Sequence, residues 1–181
     1  DYKPAGVLAD SYTISEDGKV YTIKLRQGVK FHNGQEMTAD DVVASMSRWL
    51  ELSGKAKALL AGTVFEKADD YTITMTLPEA YADALTVVAA SIQFPAIYPK
   101  SVIDSAGTEG ITEYIGTGPY KLDEWKQDQY IHLVRYEDYA QPAGESSGFT
   151  GEKLAATPDI YFRVVTDDST RVAGVQTGQY D

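Results

Sequence analysis

Apolar and polar positions alternate through residues 20–26, where Val20, Ile23 and Leu25 are set against Lys24 and Arg26. This is the pattern of a strand with one buried and one wet face. Asn33-Gly34 follows, a pair suited to the positive φ angles of a short turn. At Thr38 the period becomes helical, with Val42, Val43, Met46, Trp49 and Leu50 forming one apolar face. Thr38 stands at the N-cap, Asp40 and Asp41 place negative charge at the positive end of the helix, and T-x-x-D is the spacing of a capping box. The helix is predicted to stop at Ser53-Gly54 with the glycine as terminator, and residues 55–60 are predicted to add another helical turn.

The same reading gives three hairpins. Residues 7–14 pair with 20–26 across Glu16-Asp17-Gly18-Lys19, and 63–68 pair with 71–77 around Asp69-Asp70. In the second of these, Tyr71, Ile73, Met75 and Leu77 alternate with three threonines, so one face is wet. The third joins 118–125 to 130–136 through residues 126–129. Pro78 ends a strand, and the alanine-rich residues 79–91 are predicted as a helix. Residues 93–99 are extended, because each proline disfavours helix at the residue before it. A short helix then starts on Pro99 and ends at Gly107. Residues 138–158 form a long loop, 160–165 a strand, and 168–176 a helix capped by Asp167 or Asp168 and ended by Gly178. The fold class is α+β, with mixed, largely antiparallel sheets and packed helices.

Composition narrows the function. At 181 residues and 43% hydrophobic, the chain is large enough to bury a core as one domain or two small ones. A formal charge of -11 argues against nucleic acid and against an anionic membrane surface. Without cysteine there is no disulfide, thiolate nucleophile or Cys-based metal site, and the most apolar run, residues 85–92, is too short to span a bilayer. His32 and His132 lack a second ligand at helical spacing, so they read as surface or satisfied residues. The acidic pairs Asp40-Asp41, Asp69-Asp70 and Asp167-Asp168 fall at helix starts or a turn, where aspartate has a local structural task. Gly116-Thr117-Gly118 lacks the third glycine of a dinucleotide loop, and Pro119 removes a donor. G-x-S-x-G does not occur. Catalysis is unsupported, and no cofactor or metal is expected.

Three stretches carry a resemblance. Arg26, Gly28, Val29, Lys30, Phe31, His32, Asn33 and Gly34, followed by Thr38, Ala39, Asp41 and Val42, are similar to R-x-G-V-K-F-H-D-G and T-A-x-D-V of the extracytoplasmic solute-binding proteins that serve peptide and nickel ABC importers. Asn33 takes the place of the usual Asp and suits the same turn. Residues 116–122, and Thr170-Arg171 through Gln176-Thr177-Gly178-Gln179-Tyr180-Asp181, also match in order and spacing.

The resemblance implies part of a two-lobed fold of the type II periplasmic-binding-protein kind. The chain then corresponds to a partial first lobe, with residues 1–115 a hairpin-and-helix subdomain and 116–181 leading toward the hinge. Beginning at Asp1-Tyr2-Lys3-Pro4 without methionine and stopping at Asp181, it is expected to be an excised piece. The export signal, often a lipoprotein one, and the second lobe would then lie outside it. The implied function is that of an extracytoplasmic, monomeric binding component that captures a small solute by lobe closure and passes it to an ABC permease. A di- or oligopeptide is the expected ligand. A nickel chelate or an oligosaccharide is the alternative within the family, and a protein-interaction module the alternative outside transport.

Gln93, Phe94 and Tyr98 have two readings: a proline-stiffened connection whose aromatics fill the core, or a rigid segment lining a ligand cleft. Gly118 and Tyr120 belong to a turn entering a strand that the resemblance places near the cleft, and Tyr120 has two readings, a packed ring or a ligand-facing one. Arg163 is expected to face water or an acid, and Arg171 to form a salt bridge.

Overall fold

The computed structural model describes residues 3–181; Asp1 and Tyr2, where the chain was expected to open mid-sequence, lie outside the described residues. Two antiparallel sheets organise the chain. The first has the order β1-β2-β4-β3, from β1 (Ala9–Ile14), β2 (Val20–Leu25), β3 (Val64–Asp69) and β4 (Thr72–Thr76). The second has the order β5-β6-β7, from β5 (Tyr120–Lys126), β6 (Tyr130–Arg135) and β7 (Asp159–Arg163). Five helices accompany them: α1 (Ala39–Leu52), α2 (Gly54–Leu59), α3 (Ala84–Val88), α4 (Lys100–Ala106) and α5 (Asp168–Gln176). The predicted α+β class and all three hairpins are present.

The main core lies between the first sheet and α1. In β2 and β4 the partners Tyr21↔Met75 and Ile23↔Ile73 place one apolar face inward, while Val42, Met46 and Trp49 of α1 are buried against it. One detail corrects the sequence reading: the inward residues of β2 are Tyr21, Ile23 and Leu25, and Val20 is on the other face. Residues three apart cannot share a face of a strand, whose side chains alternate with period two. Phe31 and Met37, from the link between β2 and α1, are fully buried in the same core. Gly34 takes φ 85 in the Asn33-Gly34 turn, where the Asn33 side chain accepts from the Gln35 amide.

Three boundaries differ from expectation. Gly54 does not terminate α1: Ser53 ends that helix and its side chain caps α2 by accepting from the Ala56 amide, so Gly54 is the first residue of the next helix. The helix expected over 79–91 is only α3, because Ala84 and Val87 are its only buried residues and one turn of packed face does not sustain a longer helix. Strand β7 stops at Arg163, which is exposed to water as expected, with its guanidinium 5.3 Å from the Tyr161 ring centre. Asp167 caps α5 by accepting from the Thr170 amide, and Arg171 pairs with Asp168 as expected. Tyr180 folds back over α5, where a side chain at Gly174 would collide with its ring, so only glycine permits the approach.

Asp41 has a wider task than capping. It is only 1% exposed; Oδ2 accepts from the Thr38 amide (2.8 Å) and the Thr38 hydroxyl (3.1 Å), while Oδ1 accepts from the Lys100 amide at the start of α4 (2.7 Å). One carboxylate thus joins two helix starts. Asp41→Ala leaves buried amides unpaired at both, and we expect a loss of about 3 kcal/mol, read as a lower urea midpoint with unchanged m. Asp41→Asn, which keeps an acceptor, is expected to lose less.

Candidate functional site

The segment 93–100 is fastened to one face of α1 by residues at four-residue spacing. Asp41 takes the Lys100 amide, Ser45 Oγ accepts from the Tyr98 amide (3.0 Å) and lies 3.2 Å from its carbonyl, and Trp49 Nε1 donates to the Gln93 carbonyl (2.6 Å). Ser53, one turn further, donates to the Gln93 side-chain oxygen (2.9 Å), which also accepts from the Lys55 amide. The segment therefore runs antiparallel to the helix. One helical turn advances about 6 Å over four residues, the length of about two extended residues. The step from Lys100 to Tyr98 fits that length. Tyr98 to Gln93 has five residues to span the next turn, so 94–97 must bulge outward.

That excess length accounts for Gln93 and Phe94. Gln93 has φ 56, a costly conformation for a residue with a side chain, and its bonds to Trp49, Ser53 and Lys55 hold it there. Phe94 is 56% exposed and tilts toward Phe149 of the long loop, with ring centres 6.5 Å apart. It does not fill the core.

Next to this segment lies an open cleft of about 380 Å³, walled by Tyr98, Tyr114, Tyr120 and Trp125, with Leu122 and Leu133 from the sheet behind them. Tyr114 meets Trp125 edge-on at 5.7 Å. Tyr120 donates through its hydroxyl to the Thr157 carbonyl (2.9 Å), so its ring is held at the cleft by the long loop. Of the five residues singled out from sequence, Tyr98 and Tyr120 line the cleft. Gly118 is not among the lining residues, though its carbonyl meets the ring of His32, which is; Gln93 anchors the segment from the helix side, and Phe94 projects outward beside it. Trp125 and Tyr114 escaped the sequence reading, although Leu122, Ile131 and Leu133 could have been placed on one face from the alternation in the third hairpin.

His32 sets the position of the Gly116-Thr117-Gly118 turn. Its Nδ1 accepts from the Gly116 amide (3.2 Å), its Nε2 lies 3.0 Å from the Gly118 carbonyl, and its own amide donates to the Gly116 carbonyl (2.9 Å). With one nitrogen accepting and the other donating, the ring is neutral. Burial holds its pKa below the ordinary value, against the opposing influence of the Gly118 carbonyl. The ring packs edge-on against Tyr136, whose buried hydroxyl donates to the Phe31 carbonyl (2.8 Å). His32 is thus a satisfied residue that joins the link after β2 to the edge of the second sheet.

The acidic pairs have structural partners. Lys67 bridges Asp40 (2.7 Å) and Asp70 (2.8 Å), and those two bonds, Asp40 first, raise its pKa. Asp69 accepts from the Tyr71 amide within its turn. Among the described residues no group of three His, Asp or Glu side chains is arranged to hold a metal ion, and no helix is long and apolar enough to cross a membrane.

An aromatic-walled, nearly uncharged cleft on a rigid frame suits reversible binding of a small solute. Residues 3–181 match the family model described as bacterial extracellular solute-binding proteins, family 5 Middle, and the chain belongs to that family. It is a family of solute-binding proteins of ABC importers, not of enzymes. The glutathione-binding protein GsiB of Escherichia coli K12 is 32% identical over 184 residues, covering 99% of this chain and 33% of GsiB. The chain thus spans about a third of the length of the curated relatives it matches.

Among solved structures, NikZ from Campylobacter jejuni in complex with Ni(L-His) is similar with TM-score 0.77 and 25% identity, over 96% of this chain and 33% of NikZ. The oligopeptide-binding protein AppA from Bacillus subtilis, in complex with a nonapeptide, gives TM-score 0.74 and 29% identity over 96% and 34% of the two chains. The fold matches about a third of the type II periplasmic-binding-protein fold.

His32→Phe keeps the ring but loses both polar bonds, and we expect about 2 kcal/mol of destabilisation at pH 7.5 in urea unfolding. Because the folded chain disfavours the His32 proton, the His32 contribution falls as pH drops below about 6.5, the unfolded value. The gap between the unmodified chain and the variant should therefore narrow toward pH 5.

Proposed function

We propose that this chain forms part of the first lobe of an extracytoplasmic binding protein that captures a di- or oligopeptide and delivers it to an ABC permease. The observation that carries this reading is the cleft of about 380 Å³, walled by aromatic rings, in a chain of the solute-binding family. Aromatic walls contact aliphatic and amide groups with little rotamer entropy to lose, which suits a ligand of varied side chains. The names of GsiB and of AppA with its nonapeptide support a peptide-like solute. The likeness to NikZ with Ni(L-His) supports a nickel chelate as the second reading.

In this reading Tyr98 and Tyr120 meet the ligand from the wall, and Phe94 meets it from the rim as a second lobe closes. Gln93 and Gly118 hold the segments that carry those rings. Closure follows from differential affinity: ligand bonded to both lobes stabilises the closed arrangement over the open one, and the permease reads that arrangement. In this reading a chain with cleft walls but no second lobe binds weakly, since the contacts from that lobe are missing.

Calorimetry and thermal shift on the intact protein containing this chain, with glutathione, a nonapeptide and Ni(L-His) in parallel, test the reading. A peptide at a hundred times its Kd should stabilise the intact protein by about 2.7 kcal/mol. Phe94→Ala should weaken peptide binding while changing stability by no more than about 0.5 kcal/mol, because the ring is exposed. Saturation by Ni(L-His) alone favours the second reading, and equally tight binding by these 181 residues alone rules out closure around the ligand.

A further inference from the structure

His132 stands in the middle strand of the second sheet, only 9% exposed, between two carboxylates. Nδ1 lies 2.9 Å from Asp123 Oδ2 and Nε2 lies 2.8 Å from Asp159 Oδ1. A neutral imidazole has a single N–H, so it bonds one of these carboxylates and turns a lone pair toward the other. Only the imidazolium donates to both. The three residues come from three strands: Asp159 from β7, His132 from β6, and Asp123 from an irregularity in β5 between Leu122 and Glu124. That extra residue brings Asp123 toward the histidine while Glu124 is its register partner.

The remaining neighbours complete the enclosure. Tyr161 of β7 lies directly across from His132 and stacks on its ring, centres 4.1 Å apart and planes 7° apart. Arg163 stands 5.3 Å from the Tyr161 ring and Tyr130 meets that ring edge-on at 5.6 Å. Glu124 accepts from the Tyr130 hydroxyl, and Lys126 lies 3.5 Å from Glu124 and 5.1 Å from the Tyr130 ring. The two cations thus address Tyr161, Tyr130 and Glu124, and the groups in direct contact with the imidazole nitrogens are both carboxylates. The bond to Asp159, followed by that to Asp123, raises the His132 pKa against the opposing effect of burial.

Strand β7 is five residues long, lies at the sheet edge, and exposes all but one of its residues, so it has little apolar anchorage of its own. It leads through a short connection into α5. We propose that the Asp123–His132–Asp159 cluster is a proton-dependent latch that holds β7, and with it the start of α5, to the β5–β6 hairpin. This device goes beyond the transport reading and does not depend on it.

The sign is fixed by the partners. Protonated His132 is favoured with β7 in place, so the latch is complete below the ordinary histidine value near 6.5 and is lost as pH rises through the elevated folded value. Asp123 stays beside His132 when β7 detaches, so each pKa unit by which Asp159 raises His132 over that open state corresponds to about tenfold in the closed-to-open ratio of β7. His32 titrates in the opposite sense, so the two imidazoles are distinguishable in one experiment.

Proton NMR titration of the unmodified chain, with amide exchange of β7 as protection factors corrected for intrinsic rates, provides the test. The His132 ring should titrate above about 6.5 and His32 below it, and β7 protection should fall across the His132 midpoint by about tenfold for each unit by which that midpoint exceeds the one in Asp159→Asn. Asp159→Asn should lower the His132 midpoint and flatten the pH dependence of β7 protection. A His132 midpoint at or below the ordinary value overturns the latch, as does constant β7 protection through the titration or an unaltered profile in Asp159→Asn. The first two readouts need no variant, so they decide the matter even if Asp159→Asn fails to fold.

Discussion

The carboxylate of Asp41 is the constraint on which the site most depends. Buried between the starts of α1 and α4, it satisfies amides on both, and burial makes those bonds obligatory because water cannot replace them. It is also the first of a row of residues on α1, continued by Ser45, Trp49 and Ser53, that fastens the segment 93–100. The helix acts as a ruler. Where the segment matches the helical rise it lies flat, and where it carries too many residues it bulges, projecting Phe94 beside the cleft.

A second junction sets the other wall. His32 fixes both glycine-bearing corners of the turn that starts β5, and Tyr136 at the end of β6 reaches back to the Phe31 carbonyl. Arg26 adds a bond to the Ala140 carbonyl at the foot of the long loop. The hairpin β5–β6 is thereby held at its open end, through both strands, against the link between β2 and α1, and the cleft opens between that hairpin and the 93–100 segment. Its geometry is a consequence of these polar ties, since its own lining is apolar and has few directional bonds to offer.

The two histidines illustrate how environment assigns roles to one residue type. His32, with a backbone donor on one side and a backbone acceptor on the other, has no use for a second proton, and burial keeps it neutral. His132, with a carboxylate at each nitrogen, is complete only when charged. Placed in different parts of the same small fold, they give opposite responses to the same change in pH.

Much of the local structure was legible along the chain. The helical spacing of Val42, Met46 and Trp49, the alternation of Ile73, Met75 and Leu77, the Asp-Gly and Asn-Gly turns and the Thr38 cap each reflect forces acting within a few residues, and each recurs in the fold. The motifs around Phe31 and Gly118 marked the family for the same reason, because turn and cap residues are fixed by backbone geometry. The extent of α3, the outward bulge at Phe94, the part taken by Trp125 and Tyr114 in the cleft, and the double pairing of His132 were decided by tertiary structure. Each depends on a partner brought from far along the chain, such as Asp159 for His132 or Trp49 for Gln93, and a separation of that kind leaves no periodic trace in sequence.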